Sequence, residues 1–343
     1  MKKETKYQIL IITILSLILI ILLMSIPKII GLRGINLFDE ETEKETKRED
    51  IKEGIIVNEN SIDLNNFKEN ITIKKGGEYT LTGTFNNTVL IDSNEKVIIN
   101  LNNVNINSQI TSSIANKGTG EIVINIKEGT TNILKDNGSS EFDGCIYSEG
   151  KLTITGKGTL KVYGNQSEGE GIATTNNDIT FEGGNIIIES ADDGINAGGD
   201  NGGIITINGG NITVKANGDG IDSNGSLIIN GGTVYTMGSS KGGDAGIDTN
   251  NAFEVNSGNL IALGSDMIQN PDKTSKQNYI SFTFEKLYGK DSKVVLKKGN
   301  KTIIEFNANE NFKTLILSNS KITKGTYDLY VNNEKTNYTY EVK

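Results

Sequence analysis

Apolar and polar positions between residues 144 and 268 follow one arrangement that keeps returning. In residues 205–214, Ile205, Ile207, Ile212 and Val214 alternate with Thr206, Asn208, Asn211 and Thr213. The same phase runs through Ile179, Phe181, Ile186 and Ile188, then Leu227, Ile229, Val234 and Thr236, then Phe253, Val255, Leu260 and Ala262. Alternation with period two sends one set inward and the other to the surface, so each run predicts a pair of short strands. Glycine pairs at 183–184, 209–210 and 231–232 fall between the two strands and suit the positive φ of a corner. A Gly-Ile phrase opens each repeat, and its markers Ile146, Ile172, Ile195, Ile221 and Ile247 stand 26, 23, 26 and 26 residues apart. A fixed period of this size, built of strands, predicts stacked coils that hydrogen-bond in parallel at a spacing of about 4.8 Å. The predicted fold is all-β, a right-handed parallel β-helix over 55–270. An ordinary sandwich gives no reason for a 26-residue step held through three intervals.

Outside this stretch the pattern changes character. Ile99, Leu101, Val104 and Ile106 form a degenerate copy in which Asn103 and Val104 stand where later repeats carry glycine. Regular coils are therefore expected from about residue 70, with atypical first turns as at a capped end. After residue 278 the period is lost, and six short strand patterns follow, centred on Phe282, Val295, Ile304, Ile316, Leu329 and Thr339. They predict a small antiparallel β domain over 271–343 that covers strand edges otherwise open to aggregation. At the other end, residues 9–26 contain no charge, close to the minimum for a membrane span, and Lys2, Lys3 and Lys6 precede them. This predicts a cytoplasmic stub at 1–7 and a transmembrane signal anchor, one helix, at 8–30. Residues 39–53 hold 8 acidic and 4 basic side chains with one apolar residue, which predicts a solvated tether within 31–54. The expected protein is single-pass in a bacterial membrane, with its N-terminus cytoplasmic and its bulk extracellular.

Composition narrows the chemistry. The chain has no His and no Trp, which removes imidazole as base or metal ligand and rules out Ser-His-Asp or Cys-His sites. Cys145 is the single cysteine and forms no internal disulfide. The net charge of −9 is uneven: residues 142–270 carry 16 Asp/Glu against 5 Lys, while 271–343 carry 8 against 13. An acidic array repels phosphates, so nucleic acid is not a partner. Both arginines, Arg33 and Arg48, precede the array.

Aligning the markers lines up the acids. Before the marker glycine stand Glu170, Asp193, Asp219 and Ala245, and one position earlier Gly169, Asp192, Gly218 and Asp244. After the Ile stand Ala173, Asn196, Asp222 and Asp248. Carboxylates stacked about 4.8 Å apart repel unless neutralised, and calcium takes six to eight oxygens of this kind. Glu170, Asp192, Asp193, Asn196, Asp219, Asp222, Asp244 and Asp248 are therefore candidate calcium ligands. The alternative is a run of solvated turns in which Asp favours the bend.

The phrases Gly-Gly-Glu-Tyr-Thr-Leu-Thr-Gly (76–83), Leu-Thr-Ile-Thr-Gly-Lys-Gly-Thr-Leu (152–160), Ala-Asp-Asp-Gly-Ile (191–195) and Gly-Asp-Gly-Ile-Asp (218–222), in this order, carry a resemblance. The chain resembles the bacterial carbohydrate-binding-domain proteins, calcium-loaded β-helices similar to pectate lyases. The resemblance implies calcium between coils and binding of cellulose-like or pectin-like polysaccharide, with Asp192, Asp193, Asp219 and Asp222 matching the family's acids. Ala245 departs from that pattern. Three functions stay open: a calcium-dependent sugar binder, a polysaccharide lyase, and a calcium-stiffened adhesin or spacer. For the binder, Tyr147, Tyr163, Tyr235 and Lys241 are the candidate ligand contacts. For a lyase, Lys241 is the candidate base in the absence of an array arginine. No catalytic constellation is assigned.

Overall fold

A computed structural model of the chain describes residues 51–137, 142–165, 169–200 and 202–342. The expected stub, anchor and most of the tether lie outside these residues. Among the described residues no helix is long and apolar enough to cross a membrane. The helical element found there is a single 3-10 turn, Leu64–Asn66, capped by the Asp63 carboxylate.

The remainder is a parallel β-helix ending in a small antiparallel sheet. One face is a nine-strand parallel ladder from Ile55–Ile56, through Ile71–Ile73, Glu170–Thr175 and Ile195–Gly198, to Asp248–Thr249. Two further ladders share the long early strands Gly77–Phe85 and Val97–Ser108 and then separate. In the regular coils each long strand is replaced by two, such as Ile205–Ile207 and Asn211–Ala216, divided at the glycine pair. Gly210 at that corner has a φ of 91°, and in the early coil Asn103 takes the same left-handed region at 57°. Asparagine tolerates that region, so the corner survives there without glycine. The stacking starts with Ile55 paired to Ile71, ahead of the regular coils expected from about residue 70. The first strands run for two or three residues, too short for alternation to be legible.

Inward residues lie directly over their equivalents. Ile179, Ile205, Leu227 and Phe253 are paired in sequence, as are Ile186, Ile212, Val234 and Leu260, all buried in one continuous core. At one corner a polar row is stacked in the same way. The Asn208 amide donates to Glu182 (2.8 Å), Asn230 donates to Asn208 (3.0 Å), and Asn256 donates to Asn230 (3.1 Å). Each amide offers a donor to one coil and an acceptor to the next, so identical side chains satisfy one another.

All six expected C-terminal strands form, but they divide. Lys293–Lys298, Lys301–Asn307, Gly325–Val331 and Glu334–Val342 make a four-strand antiparallel sheet. The other two continue the solenoid itself. Phe312–Ser318 pairs antiparallel with the last coil's Asn259–Gly264 and also with Tyr279–Tyr288. A polar strand edge is thereby replaced by a paired one.

The marker glycines are required by close approach. A Cβ at Gly194 would stand 2.0 Å from Val214 Cγ1 and 2.5 Å from the Gly220 carbonyl oxygen of the next coil. Gly220 faces the same restriction, with Thr236 Oγ1 at 2.0 Å and the Gly246 oxygen at 2.6 Å. Gly194→Ala is expected to lower unfolding free energy by about 2–3 kcal/mol, as overpacking does. Urea denaturation measures it, and a change below about 0.5 kcal/mol would mean that the coils part freely there.

Candidate functional site

The marker phrase builds one corner of the solenoid. Backbone register pairs Ile172 with Ile195 and Ile195 with Ile221, which fixes their flanking residues as neighbours. Ala173, Asn196, Asp222 and Asp248 consequently form one column, as aligned from the sequence. A second column runs beside it. The Asp193 carboxylate accepts the backbone N–H of Asp219 (2.6 Å), and Asp219 accepts that of Ala245. Each carboxylate thus caps the following coil, and Ala245 ends the series. Asn196 bridges the columns by donating to Glu170 Oε1 (2.6 Å) and Asp193 Oδ2 (3.1 Å).

These acids are crowded and withdrawn from water. Glu170 is 8% exposed. Burial first, then the charges of Asp143, Asp193, Asp192 and Asp222, hold its carboxyl well above the usual range. Burial raises Asp193 to about 7 against the relief of the Asp219 N–H, with Asp192, Asp219 and Asp222 adding repulsion. Asp219 rises to about 7, by burial and by Asp248, Asp222 and Asp244, and Asp222 rises to about 6 by burial and Asp248. The ion pairs among the described residues use other acids, such as Asp178 with Lys151 and Glu310 with Lys215. Asn196 Oδ1 is buried without a hydrogen-bond donor. Asp143, which the aligned markers leave out, stands two coils before Asp192 in the column of Asp192 and Asp244. The signal was present: Asp-Gly-Cys-Ile at 143–146 begins one residue before the phrase used as marker.

The donor set suits a hard cation, being all oxygen. Among the described residues no three acidic side chains already meet as a metal cluster. A cation held at this corner would need the orphaned Asn196 oxygen and turn carbonyls as well as carboxylates.

Of the expected ligand tyrosines, Tyr147 stands in the column of Ala173 and Asn196, and Tyr163 and Tyr235 lie on other strands. Tyr147 is a buried residue, stacked on Phe142 at 4.8 Å with its hydroxyl donated to Glu149 (2.7 Å). Tyr235 fastens the solenoid to the C-terminal segment: its hydroxyl donates to the Asn307 carbonyl (3.3 Å) and accepts the Asn309 N–H (3.0 Å). Its ring meets Phe306 edge-on at 5.8 Å. Both rings are taken up by packing, which corrects their assignment as sugar platforms. Tyr163 lies on the outer face with Lys135 Nζ 4.7 Å above its ring. Lys241 is exposed, in a loop tied by Ser239, whose hydroxyl accepts the Lys241 N–H (3.1 Å). That loop borders a cleft of about 450 Å³ with Asn217, Ser240 and Asn311 in its walls. Lys215, paired to Glu310 at 2.8 Å, closes one side. Asn217 lies two residues before Asp219 in the chain.

A family model described as carbohydrate-binding domain-containing protein matches residues 68–333. A protein of that description from Acetivibrio thermocellus is 32% identical over 146 residues, covering 39% of this chain and 50% of the relative. The chain thus spans about half the length of that curated relative. A solved structure of a polysaccharide lyase-like protein from C. thermocellum, a gadolinium derivative, has 29% identity and a TM-score of 0.46, covering 54% of this chain and 82% of that one.

The raised carboxyls set a direction for pH dependence. Between the ordinary carboxylate range near 4 and about 7, the folded state holds protons that the unfolded chain has lost, so stability falls as pH rises. In chelator, the thermal midpoint is expected to drop by roughly 5–10 °C from pH 4 to pH 8. Asp193→Asn with Asp219→Asn should remove about half of that drop in a differential scanning series. A midpoint that climbs with pH in both proteins would contradict it.

Proposed function

We propose, since this chain belongs to the carbohydrate-binding domain-containing protein family, that it binds polysaccharide at the acidic corner with the help of calcium. The observation that carries this is the meeting of the buried Glu170 with the half-buried Asp193 and Asp219, none of which has a lysine ion pair among the described residues, beside a buried amide oxygen at Asn196 that lacks a donor. Repulsion of this kind is relieved by a divalent cation, and calcium accepts oxygen ligands in variable number. Glu170, Asp193, Asn196, Asp219 and Asp222 would form the inner set, with Asp192, Asp244 and Asp248 at its margin. Thiolate and imidazole are missing from the corner, which disfavours zinc and copper.

When bound, calcium supplies a positive centre to which ligand carboxylates or hydroxyls can bind. Pectin-like acidic glycans profit most, and cellulose-like chains can use hydroxyls. The protein's own residues do the rest. Asn217, Ser239, Ser240 and Asn311 present amides and hydroxyls along the cleft, while Lys241 at its lip offers charge to an acidic sugar. The Lys215–Glu310 pair keeps the cleft wall in place. Binding without catalysis is the function inferred: both arginines precede the array, and Lys241 is an exposed loop residue. Presentation outside a bacterial membrane, through the uncharged run at 9–26, belongs to the same proposal.

A glycan array probed with the chain in calcium and in chelator tests it. Retention of acidic or cellulose-like polysaccharide is expected in calcium, lost with chelator and restored by added calcium. Asp219→Asn with Asp222→Asn should weaken it about tenfold or more. Calcium should also raise the melting temperature, because an ion held only by the folded state stabilises it by mass action. Binding indifferent to chelator and to both substitutions would remove the corner from the mechanism.

A further inference from the structure

The C-terminal segment carries a second and larger cleft, of about 630 Å³, away from the acidic corner. It lies between the end of the strand Tyr279–Tyr288 and the turn joining Gly325–Val331 to Glu334–Val342. All of its lining residues fall between 284 and 338.

One wall is aromatic and rigid. Phe284 is buried, and its ring meets Tyr288 edge-on at 5.0 Å and Tyr338 edge-on at 5.1 Å. Tyr288 is backed by Phe312, stacked at 5.6 Å. Core rings thus hold two half-exposed tyrosines at the lip, and Leu287 beside them is 51% exposed. The Tyr338 hydroxyl accepts the Glu285 N–H (3.1 Å), which leaves its own proton for a ligand.

The facing wall is polar and also held. Asn332 occupies the left-handed region of a tight turn (φ 54°), accepts the Lys293 N–H (2.9 Å) and donates to Ser292 (3.4 Å). Asn337 and Glu334 stand near it on the same hairpin. Charges in the cleft cancel, with Glu285 and Glu334 set against Lys286 and Lys335. Lys286 places its ammonium 5.0 Å from the centre of the Tyr288 ring, a flexible exposed side chain in the place where a ligand would lie.

A rigid apolar ring face opposite amides and carboxylates, without net charge and with room for one or two rings, matches an uncharged pyranose. Such a sugar has an apolar C–H face and a rim of hydroxyls, and pockets of this size suit small ligands. A polyanion would need a surplus of positive charge that this cleft lacks. We propose that the cleft is a second sugar site that takes a neutral pyranose unit on Tyr288 and Tyr338, independently of the acidic corner and its cation. It rests on the reading of the chain as a carbohydrate binder.

Cellotetraose, a neutral oligosaccharide, is titrated into the full chain in chelator while the Leu287 methyl resonances are followed by NMR. Saturable shifts at Leu287 are expected, preserved in Asp219→Asn and weakened about tenfold in Tyr288→Ala. Because Tyr288 packs on Phe312, Asn337→Ala serves as the second variant; it leaves the ring cluster intact and should weaken binding by a few fold. Cellotetraose binding that vanishes with chelator, or that ignores both cleft substitutions, overturns the second site and leaves the corner proposal standing. Failure of cellotetraose to bind beside intact calcium-dependent binding of acidic glycan overturns it too. Failure of every glycan on the array overturns both proposals.

Discussion

Parallel stacking places each residue over its own equivalent one coil away, and everything in this protein answers to that constraint. For aliphatic side chains the result is favourable, since Ile over Ile excludes water along the whole axis. For amides it is also favourable, because the row from Glu182 through Asn208 and Asn230 to Asn256 pairs donor with acceptor at each step. Carboxylates have acceptors only, so stacking them costs energy that the chain alone does not recover. Part of it is recovered at the backbone, where Asp193 and Asp219 each cap the coil that follows. The rest shows as carboxyls held above the usual range, so that they release their protons at higher pH. A corner of this kind is a store of unmet demand for positive charge.

Much of the solenoid was legible because its period and its alternation report one geometry. The column Ala173, Asn196, Asp222 and Asp248 could be written from the sequence, since the step between markers equals the step between paired residues. Three things were not legible. The register of the first coils is hidden because strands of two or three residues carry no alternation. Tyr147 and Tyr235 read as surface rings because outward positions in a strand pattern are taken to face solvent. In the folded chain Tyr147 lies against Phe142, and Tyr235 lies beneath the C-terminal segment. Both burials depend on contacts that no local pattern encodes. Asp143 was overlooked for a plainer reason: Cys145 interrupts the phrase that would have placed it.

The reason for each marker glycine also became clear only in three dimensions. An Asp-Gly turn is ordinarily explained by a bend, yet at Gly194 and Gly220 the limiting factor is the neighbouring coil, which leaves no room for a methyl group. Tight approach and stacked acids are therefore consequences of one choice. Bringing the backbones this close is what draws the carboxylates together.

The way the stack ends bears on how it is made. Within the solenoid each strand pairs with one some 20 to 30 residues away, so coils can be laid down one after another as the chain emerges. The last coil breaks that order. Its partner, Phe312–Ser318, lies about 50 residues downstream and separates it from Tyr279–Tyr288, which is synthesised first. Until residue 318 is available, the growing end keeps a row of unpaired backbone groups. Closure thus has a longer loop to gather than any step before it, which makes it the natural bottleneck of folding.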